Sequence, residues 1–205
     1  MVVCRLPRWR RCWNDIGNMS SATRLYLSND TSARAAGAGL LADAWADRPE
    51  VQLIRLSSRG AFFLEPMVER DGPDGRVAWF NVTPEDLPSI LAGTGGTPVQ
   101  AIPYLANQTR VTFANFGETE PLALDEYQAR GGLVGLEEAF RLTPEAIIEE
   151  LRISQLRGRG GAAFPVWNKW KVAQQTKARE KYVAANADEG DAGTYCDRMI
   201  LEGDP

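Results

Sequence analysis

Hydrophobic and polar positions along residues 19–93 follow a pattern that predicts a regular succession of strands and helices. The stretches 23–28 and 51–58 are short and rich in apolar or β-branched residues, as is typical of strands. The segment 33–48 between them has the longer apolar spacing of a helix. The candidate N-cap residues of this helix are Asp30, Thr31 and Ser32.

A β-hairpin is predicted after these elements. Residues 61–70 and 76–82 are largely apolar, and they flank the sequence "DGPDG". Asp, Gly and Pro in this combination favour a tight turn, so the two stretches are expected to pair as antiparallel strands.

A helix predicted at 83–93 completes this part of the chain. Thr83 is its expected N-cap, Pro84 takes the first helical position, and Asp86 stands near the position that completes a capping box. The resulting order, β-α-β-β-β-α, resembles a small thioredoxin-like domain. Pro66 stands where such domains carry their loop proline.

The thioredoxin-like resemblance implies a domain without an iron–sulfur cluster. In thioredoxin-like ferredoxins, four cysteines of a related layout bind a [2Fe–2S] cluster. Here the corresponding loop is "SSRGAFF", and residues 19–195 contain no cysteine. We therefore expect a cluster-free domain that serves docking or packing.

Composition excludes several classes of function. The 205 residues carry a net charge of -4, which does not favour a nucleic-acid partner, and no apolar run approaches the length of about 20 residues that spans a membrane. There is no histidine, which excludes Ser-His-Asp and Cys-His catalysis. The three cysteines are too scattered for a zinc or iron–sulfur site, and they suit a reducing compartment, so we expect a cytoplasmic protein.

The glycine-rich stretch "LRGRGGAAF", residues 156–164, is the strongest candidate for a binding loop. Residues 158–163 fit the pattern G-x-G-x-x-[GA], but a dinucleotide-binding Rossmann loop needs a strand before it. The segment 143–156 instead predicts a helix, capped by Thr143 with Pro144 at its first position. A Rossmann enzyme, and a plain helix C-cap with a flexible loop, remain the alternatives.

Physical chemistry favours a phosphate at this loop. Successive glycines let backbone N–H groups face one anion without side chains in the way, and Arg157 or Arg159 can add bidentate contacts. A helix predicted to begin near Pro165 would add its positive N-terminal end. Lys169 lies about one turn inside that helix.

A second candidate segment follows at 181–191. The sequence "KYVAANA" predicts a buried strand, and "DEGD" comes directly after it, at the strand end where α/β sheets bind ligands. Asn186 offers a donor and an acceptor to a planar heterocycle. The acidic residues would bind sugar or ribityl hydroxyls, unless they form a magnesium site or a solvated turn.

Together, "LRGRGGAAFPVWNKW" and "NADEGDAGTYCDR" resemble the FMN- and NADH-binding subunit of respiratory complex I and its relatives, over about residues 100–205. The resemblance implies a set of cofactor-binding residues. Those beside the FMN phosphate, ribityl chain and isoalloxazine are Gly158, Arg159, Gly160, Gly161, Lys169, Asn186, Asp188 and Glu189. Those beside the nicotinamide nucleotide are Phe164 and Asp191.

The resemblance also implies an activity. NADH gives two electrons to FMN, which passes them singly to iron–sulfur clusters, or the path runs in reverse, with the cofactors rather than protein side chains doing the chemistry. The thioredoxin-like segment together with "NADEGD" and "DRMILEGDP" is most similar to the beta subunit of soluble NAD-dependent formate dehydrogenases. Partners would then be a thioredoxin-like [2Fe–2S] subunit and a molybdenum-containing catalytic subunit. The alternatives are a complex I or NAD-reducing hydrogenase diaphorase subunit, or a non-catalytic docking subunit.

The expected organisation has four parts. Residues 1–18 are a basic extension or reflect a start upstream of Met19, 19–93 form the thioredoxin-like domain, 94–108 are a linker, and 109–205 begin an α/β FMN-binding domain. The family fold continues beyond "EGDP" to a C-terminal [4Fe–4S] site, whose ligands this chain lacks. We therefore expect a fragment that binds FMN weakly or not at all and does not turn over.

Overall fold

The computed structural model describes residues 22–191 and 193–205, which form two compact units. The first unit combines the described residues up to Leu122 with Tyr195–Pro205, and the second spans Ala123–Thr194. The expected basic extension, with the choice between Met1 and Met19, lies outside the described residues.

The first unit is built on a five-stranded mixed sheet. Its strands are β1 (Thr23–Ser28), β2 (Val51–Leu56), β3 (Val68–Gly72), β4 (Gly75–Trp79) and β5 (Thr97–Pro98). The spatial order is β2-β1-β3-β4-β5, with β1 and β2 parallel and the other neighbours antiparallel. This pairing confirms the predicted α/β class and the thioredoxin-like β-α-β plus hairpin arrangement.

The α-helices are distributed over both units. In chain order they are α1 (Thr31–Ala35), α2 (Ala38–Trp45), α3 (Leu87–Ala92), α4 (Pro103–Ala106), α5 (Leu124–Ala129), α6 (Val134–Ala139), α7 (Pro144–Ser154), α8 (Val166–Gln175) and α9 (Cys196–Gly203). Short 3-10 helices lie at Phe62–Leu64, Pro84–Asp86 and Val99–Ala101.

Local capping chemistry sets the helix starts as predicted. The Asp30 carboxylate accepts the Ala33 N–H at 3.0 Å and begins α1. Thr83 and Asp86 form the reciprocal capping box before α3. The helix predicted over 33–48 is instead broken into α1 and α2, because Gly37 adopts a left-handed φ of 111° that no helix can continue through.

Two apolar clusters cover the two faces of the sheet. Leu25, Leu27 and Val68 belong to the larger cluster, which α2 and α3 cover, whereas Met67 and Ala78 belong to the smaller one. Neighbouring residues of a strand point to opposite faces, so Ala78 of β4 and the tryptophan after it belong to different clusters. Each fully buried large side chain contributes about 1.5–3 kcal/mol, which makes these clusters the main source of stability in the unit.

A buried ion network holds the segment after α4 against the sheet. Arg59 and Glu69 are both buried, and two hydrogen bonds of 2.5 and 2.9 Å join them. Burial opposes the Arg59 charge, but Glu69 and then Glu118 outweigh it and raise the pKa of the guanidinium. Arg59 also donates to the Gly117 carbonyl at 3.2 Å, and Arg76 donates to the same carbonyl.

This network explains why the predicted strand at 109–117 is wrong. The segment forms successive turns, with Gly117 at a φ of 76° and its carbonyl held by arginine donors. Phe113 and Phe116 meet edge to face at 4.7 Å, a spacing of three residues that suits turns and not the alternation of a strand. Tertiary hydrogen bonds therefore override the local apolar pattern.

The segment 94–108, expected to be a linker, contributes to the first unit. Thr97 and Pro98 form β5 beside β4, and the Trp79 indole N–H donates to the Thr94 carbonyl at 2.8 Å. The sequence interpretation missed this strand because two residues carry no readable periodicity. Among the described residues, no helix is both long and apolar enough to cross a bilayer.

Removing the cationic partner of the buried pair should be costly. Arg59→Met leaves the Glu69 carboxylate buried beside Arg76 alone, so we expect the free energy of unfolding to fall by about 3–5 kcal/mol. Urea unfolding followed by circular dichroism measures this loss. The matched control is Arg24→Met, which removes the exposed 3.4 Å pair with Asp71 and should cost at most about 1 kcal/mol. Equal losses in the two variants would contradict the assigned role of the network.

The buried carboxyl of Glu65 should make stability depend on pH. Burial raises its pKa from 4.5 to about 7, against hydrogen bonds from the Met67 N–H and the Ser28 hydroxyl. Because the folded-state pKa exceeds the unfolded value, this contribution to stability is full below about pH 4.5 and is lost as pH rises through 7.

Glu65→Gln removes this titration while keeping an acceptor for Met67 and a donor for Ser28. Its stability relative to wild type should therefore increase by about 3 kcal/mol between pH 4.5 and pH 8, because a pKa raised from 4.5 to about 7 is worth about 1.4 kcal/mol per pKa unit. Urea titrations at both pH values measure the change. Glu85→Gln makes the same substitution at an exposed position of the same unit. A difference between Glu65→Gln and wild type that is constant with pH would refute the assignment.

Candidate functional site

Helix α7 leads directly into the glycine loop. The Thr143 hydroxyl accepts the Ala146 N–H at 3.2 Å, and Pro144 takes the first helical position, as predicted. The helix ends at Gln155, whose left-handed φ of 54° turns the chain out of the helical path. A helix and not a strand therefore precedes the glycines. The Rossmann alternative requires a strand at this position, so it is wrong.

Backbone hydrogen bonds close the base of the glycine loop. The Gly158 N–H donates to the Phe164 carbonyl at 2.9 Å, and the Val166 N–H donates to the Leu156 carbonyl at 3.0 Å. Arg157 and Pro165 face each other between these bonds as an isolated antiparallel bridge. The loop is thus a closed hairpin between α7 and α8, rather than the loose helix cap that was the other alternative.

The tip of this loop presents backbone without side chains. A Cβ placed on Gly160 or Gly161 would meet no atom within 4 Å. Gly161 has a φ of 97°, which an L side chain rarely adopts, whereas Gly160 has an ordinary backbone conformation. An anionic group can therefore approach the backbone N–H groups here, and this opening fits the phosphate end of FMN.

Helix α8 begins directly after the loop and brings two predicted site residues together. The Lys169 ammonium lies 5.7 Å from the centroid of the Phe164 ring, within the range of a cation–π contact. Phe164 is 43% exposed, so its ring remains available to a second planar group. The positive N-terminal end of α8 adds to the attraction for an anion at the loop.

The two arginines of the loop have different surroundings. The Arg157 guanidinium donates to the Ala163 carbonyl at 3.1 Å, within the loop itself. Arg159 is exposed, and the described part of the chain supplies no partner to its guanidinium. Residue chemistry alone left open which arginine would contact a phosphate, and the family resemblance implied Arg159, whose exposed guanidinium agrees with that expectation.

The acidic segment lies in an irregular, largely exposed stretch and not after a buried strand. The strand predicted at 181–187 is absent from the described residues, and Val183 is fully exposed. The Lys181 ammonium instead donates to the Ala173 carbonyl at 2.6 Å, so it caps the end of α8. An apolar run forms a strand only beside a partner strand, and the described residues of the second unit contain none.

Asn186, Asp188 and Asp191 make local hydrogen bonds in this stretch. The Asn186 side-chain oxygen accepts the Asp188 N–H at 3.0 Å, and the Asp191 carbonyl accepts the Thr194 N–H. Glu189 has a positive φ of 46°. The structure therefore joins Gly158–Gly161, Phe164 and Lys169 into one region, but it does not bond Asn186, Asp188 or Asp191 to that region.

The magnesium alternative receives no support from the geometry. In the described ranges 22–191 and 193–205, no group of three or more His, Cys, Asp or Glu side chains is arranged to hold a metal ion.

The helices that support the loop are tied to each other by polar contacts. The Gln174 amide of α8 donates to the Glu145 carboxylate of α7 at 2.5 Å. On α7, Arg152 donates to Glu149 at 2.6 and 2.8 Å, and this hydrogen bonding lowers the pKa of the Glu149 carboxyl. The Gln174–Glu145 contact joins the two helices whose ends define the loop, whereas the Arg152–Glu149 pair lies within α7 alone.

The candidate site lies within a segment of the chain that is similar to a known protein family. Residues 151–205 match the protein family described as the Nuo51 FMN-binding domain. The match covers α7 from Leu151, the glycine loop, α8 and the acidic segment. It therefore contains all ten residues that the sequence analysis assigned to cofactor binding.

Three relatives illustrate the similarity. The chain is 44% identical over 98 residues to the NADP-reducing hydrogenase subunit HndC of Solidesulfovibrio fructosivorans, which is 48% of this chain and 20% of the relative. It is 48% identical over 83 residues to a subunit of the NADH-quinone oxidoreductase of Aquifex aeolicus, which is 40% of this chain and 19% of the relative.

With the NAD-reducing hydrogenase HoxS subunit alpha of Cupriavidus necator it shares 36% identity over 115 residues, which is 56% of this chain and 18% of the relative. The chain thus spans about a fifth of the length of these relatives.

Proposed function

We propose that the glycine loop binds the phosphate end of FMN and that the chain belongs to a flavin subunit that exchanges electrons with NAD(H). The observation that carries the proposal is the open backbone at Gly160 and Gly161 beside Arg159, between α7 and α8. The similarity of residues 151–205 to the Nuo51 FMN-binding domain supports the same ligand.

The residues of the loop would divide the work of binding. The glycines let the phosphate approach the backbone N–H groups, and Arg159 adds a bidentate donor. Lys169 and Phe164 lie next to each other, so the ammonium would complement negative charge while the exposed ring stacks on the nicotinamide nucleotide.

The other parts of FMN and of the nicotinamide nucleotide would be bound by Asn186, Asp188, Glu189 and Asp191. The amide of Asn186 suits the isoalloxazine edge, and carboxylates suit the ribityl and ribose hydroxyls. In the structure Asn186, Asp188 and Asp191 make local bonds, so we propose that ligand binding brings the acidic segment to the loop.

The redox chemistry belongs to the cofactors. Bound FMN would supply acceptance of a hydride from NADH and single-electron transfer to iron–sulfur clusters. The residues of this chain bind and orient the groups and need no catalytic side chain, which accords with the absence of histidine.

We further propose that the assembly is a multi-subunit oxidoreductase of the cytoplasm with iron–sulfur partners. The finer assignment is the beta subunit of an NAD-dependent formate dehydrogenase with a molybdenum-containing partner, and it rests on the motif "NADEGD" and the cluster-free thioredoxin-like unit. The names of the relatives support a complex I or NAD(P)-reducing hydrogenase subunit as the alternative. We expect the isolated chain to bind FMN weakly and not to turn over.

An FMN titration followed by flavin fluorescence tests the proposed site. We expect saturable quenching by the wild-type chain and at least a tenfold weaker dissociation constant for Gly160→Val, because its side chain would occupy the space that the phosphate needs. The free energy of unfolding should stay close to that of wild type, since a Cβ at Gly160 meets no neighbour. Riboflavin, which lacks the phosphate, should bind more weakly than FMN.

The matched control is Gly135→Val in α6, where a Cβ also meets no atom within 4 Å. This variant should bind FMN like wild type. Equal binding by wild type and Gly160→Val, or no saturable binding by the wild-type chain, would contradict the proposal.

A further inference from the structure

The exposed side chain of Arg157 makes a hydrogen bond to the opposite side of the glycine loop. Its guanidinium donates to the Ala163 carbonyl at 3.1 Å, across six positions of sequence. The backbone of the same residue forms the antiparallel bridge with Pro165. Side chain and main chain of Arg157 therefore hold neighbouring points on the returning half of the loop.

Ala163 is the point in the loop that needs such support. It has a positive φ of 49°, a left-handed conformation that an alanine adopts at a cost. A residue in this conformation persists only where surrounding contacts stabilise it. The Arg157 hydrogen bond to its carbonyl is such a contact, and the Phe164 carbonyl beside it accepts the Gly158 N–H.

We infer that Arg157 is a positioning residue of the glycine loop, which holds Ala163 in its left-handed conformation and thereby keeps Gly158–Gly161 in the geometry that receives an anion. The consequence for FMN rests on the proposed function, but the effect on the loop does not. Arg159, two residues away, would contact the ligand itself. The two arginines thus have separable roles, in spite of their identical charge.

The two roles can be separated because the Arg157 contact exists without ligand, whereas the Arg159 contact needs the ligand. Loss of Arg157 shifts the loop toward an open state. Apparent FMN affinity then falls by the same factor as the population of the closed, binding-competent loop. Loss of Arg159 leaves the loop closed and weakens affinity by removing a direct contact. The net contribution of one such hydrogen bond changes the equilibrium between closed and open loop by about fivefold. This factor is the increase in loop opening that we expect.

Amide hydrogen exchange of the full chain without FMN tests the inference. The reporters are the N–H groups of Gly158 and Val166, which close the loop. In Arg157→Gln we expect both to exchange about fivefold faster than in wild type, whereas Arg159→Gln, the matched control, should leave them unchanged. Arg157→Lys retains one donor for the Ala163 carbonyl and should restore part of the protection. Amides within α7 report that each variant remains folded.

A second background tests the link to Ala163. Ala163→Gly removes the cost of the left-handed conformation, so Arg157→Gln should accelerate exchange less in that background than in wild type. Equal acceleration in both backgrounds, or equal exchange in Arg157→Gln and Arg159→Gln, would overturn the inference. Failure of the wild-type chain to bind FMN would instead refute the proposed function and leave the exchange result to decide the role of Arg157.

Discussion

The hydrogen bonds that close the glycine loop are the constraint on which the candidate site depends. Leu156 and Phe164 accept from Val166 and Gly158, and this pairing fixes where α7 ends and where α8 begins. The glycine tip, the exposed Phe164 ring and the positive end of α8 are consequences of that closure. The binding that we propose would thus arise from backbone geometry and would need no titrating group.

Much of the fold could be predicted because local chemistry decides it. Asp30, Thr83 and Thr143 are side-chain caps whose hydrogen bonds are complete within three residues, and the hairpin turn between β3 and β4 is equally local. The segment at 109–117 could not be predicted, because Arg59 and Arg76 reach it from distant positions and hold the Gly117 carbonyl. Long-range polar contacts leave no periodic trace in the sequence.

The candidate site likewise has features that local sequence predicts and features that it does not predict. The glycines, the helix before them and the helix after them were predictable from residue type and spacing. The left-handed conformation of Ala163 and the hydrogen bond of Arg157 across the loop were not, since alanine is not typical of that conformation and an arginine beside glycines suggests a ligand contact first. The strand predicted at 181–187 failed because apolar content alone does not supply a neighbouring strand.

The central claim is that FMN binds at the glycine loop, and an amide-resolved NMR titration of the full chain with FMN tests it most directly. The account predicts progressive, saturable shifts at Gly158–Gly161 and in the first turn of α8, with the amides of β1–β4 unchanged. Such mapping detects even weak binding and locates it. Shifts confined to the sheet of the first unit, or no shifts at the loop, would contradict the account.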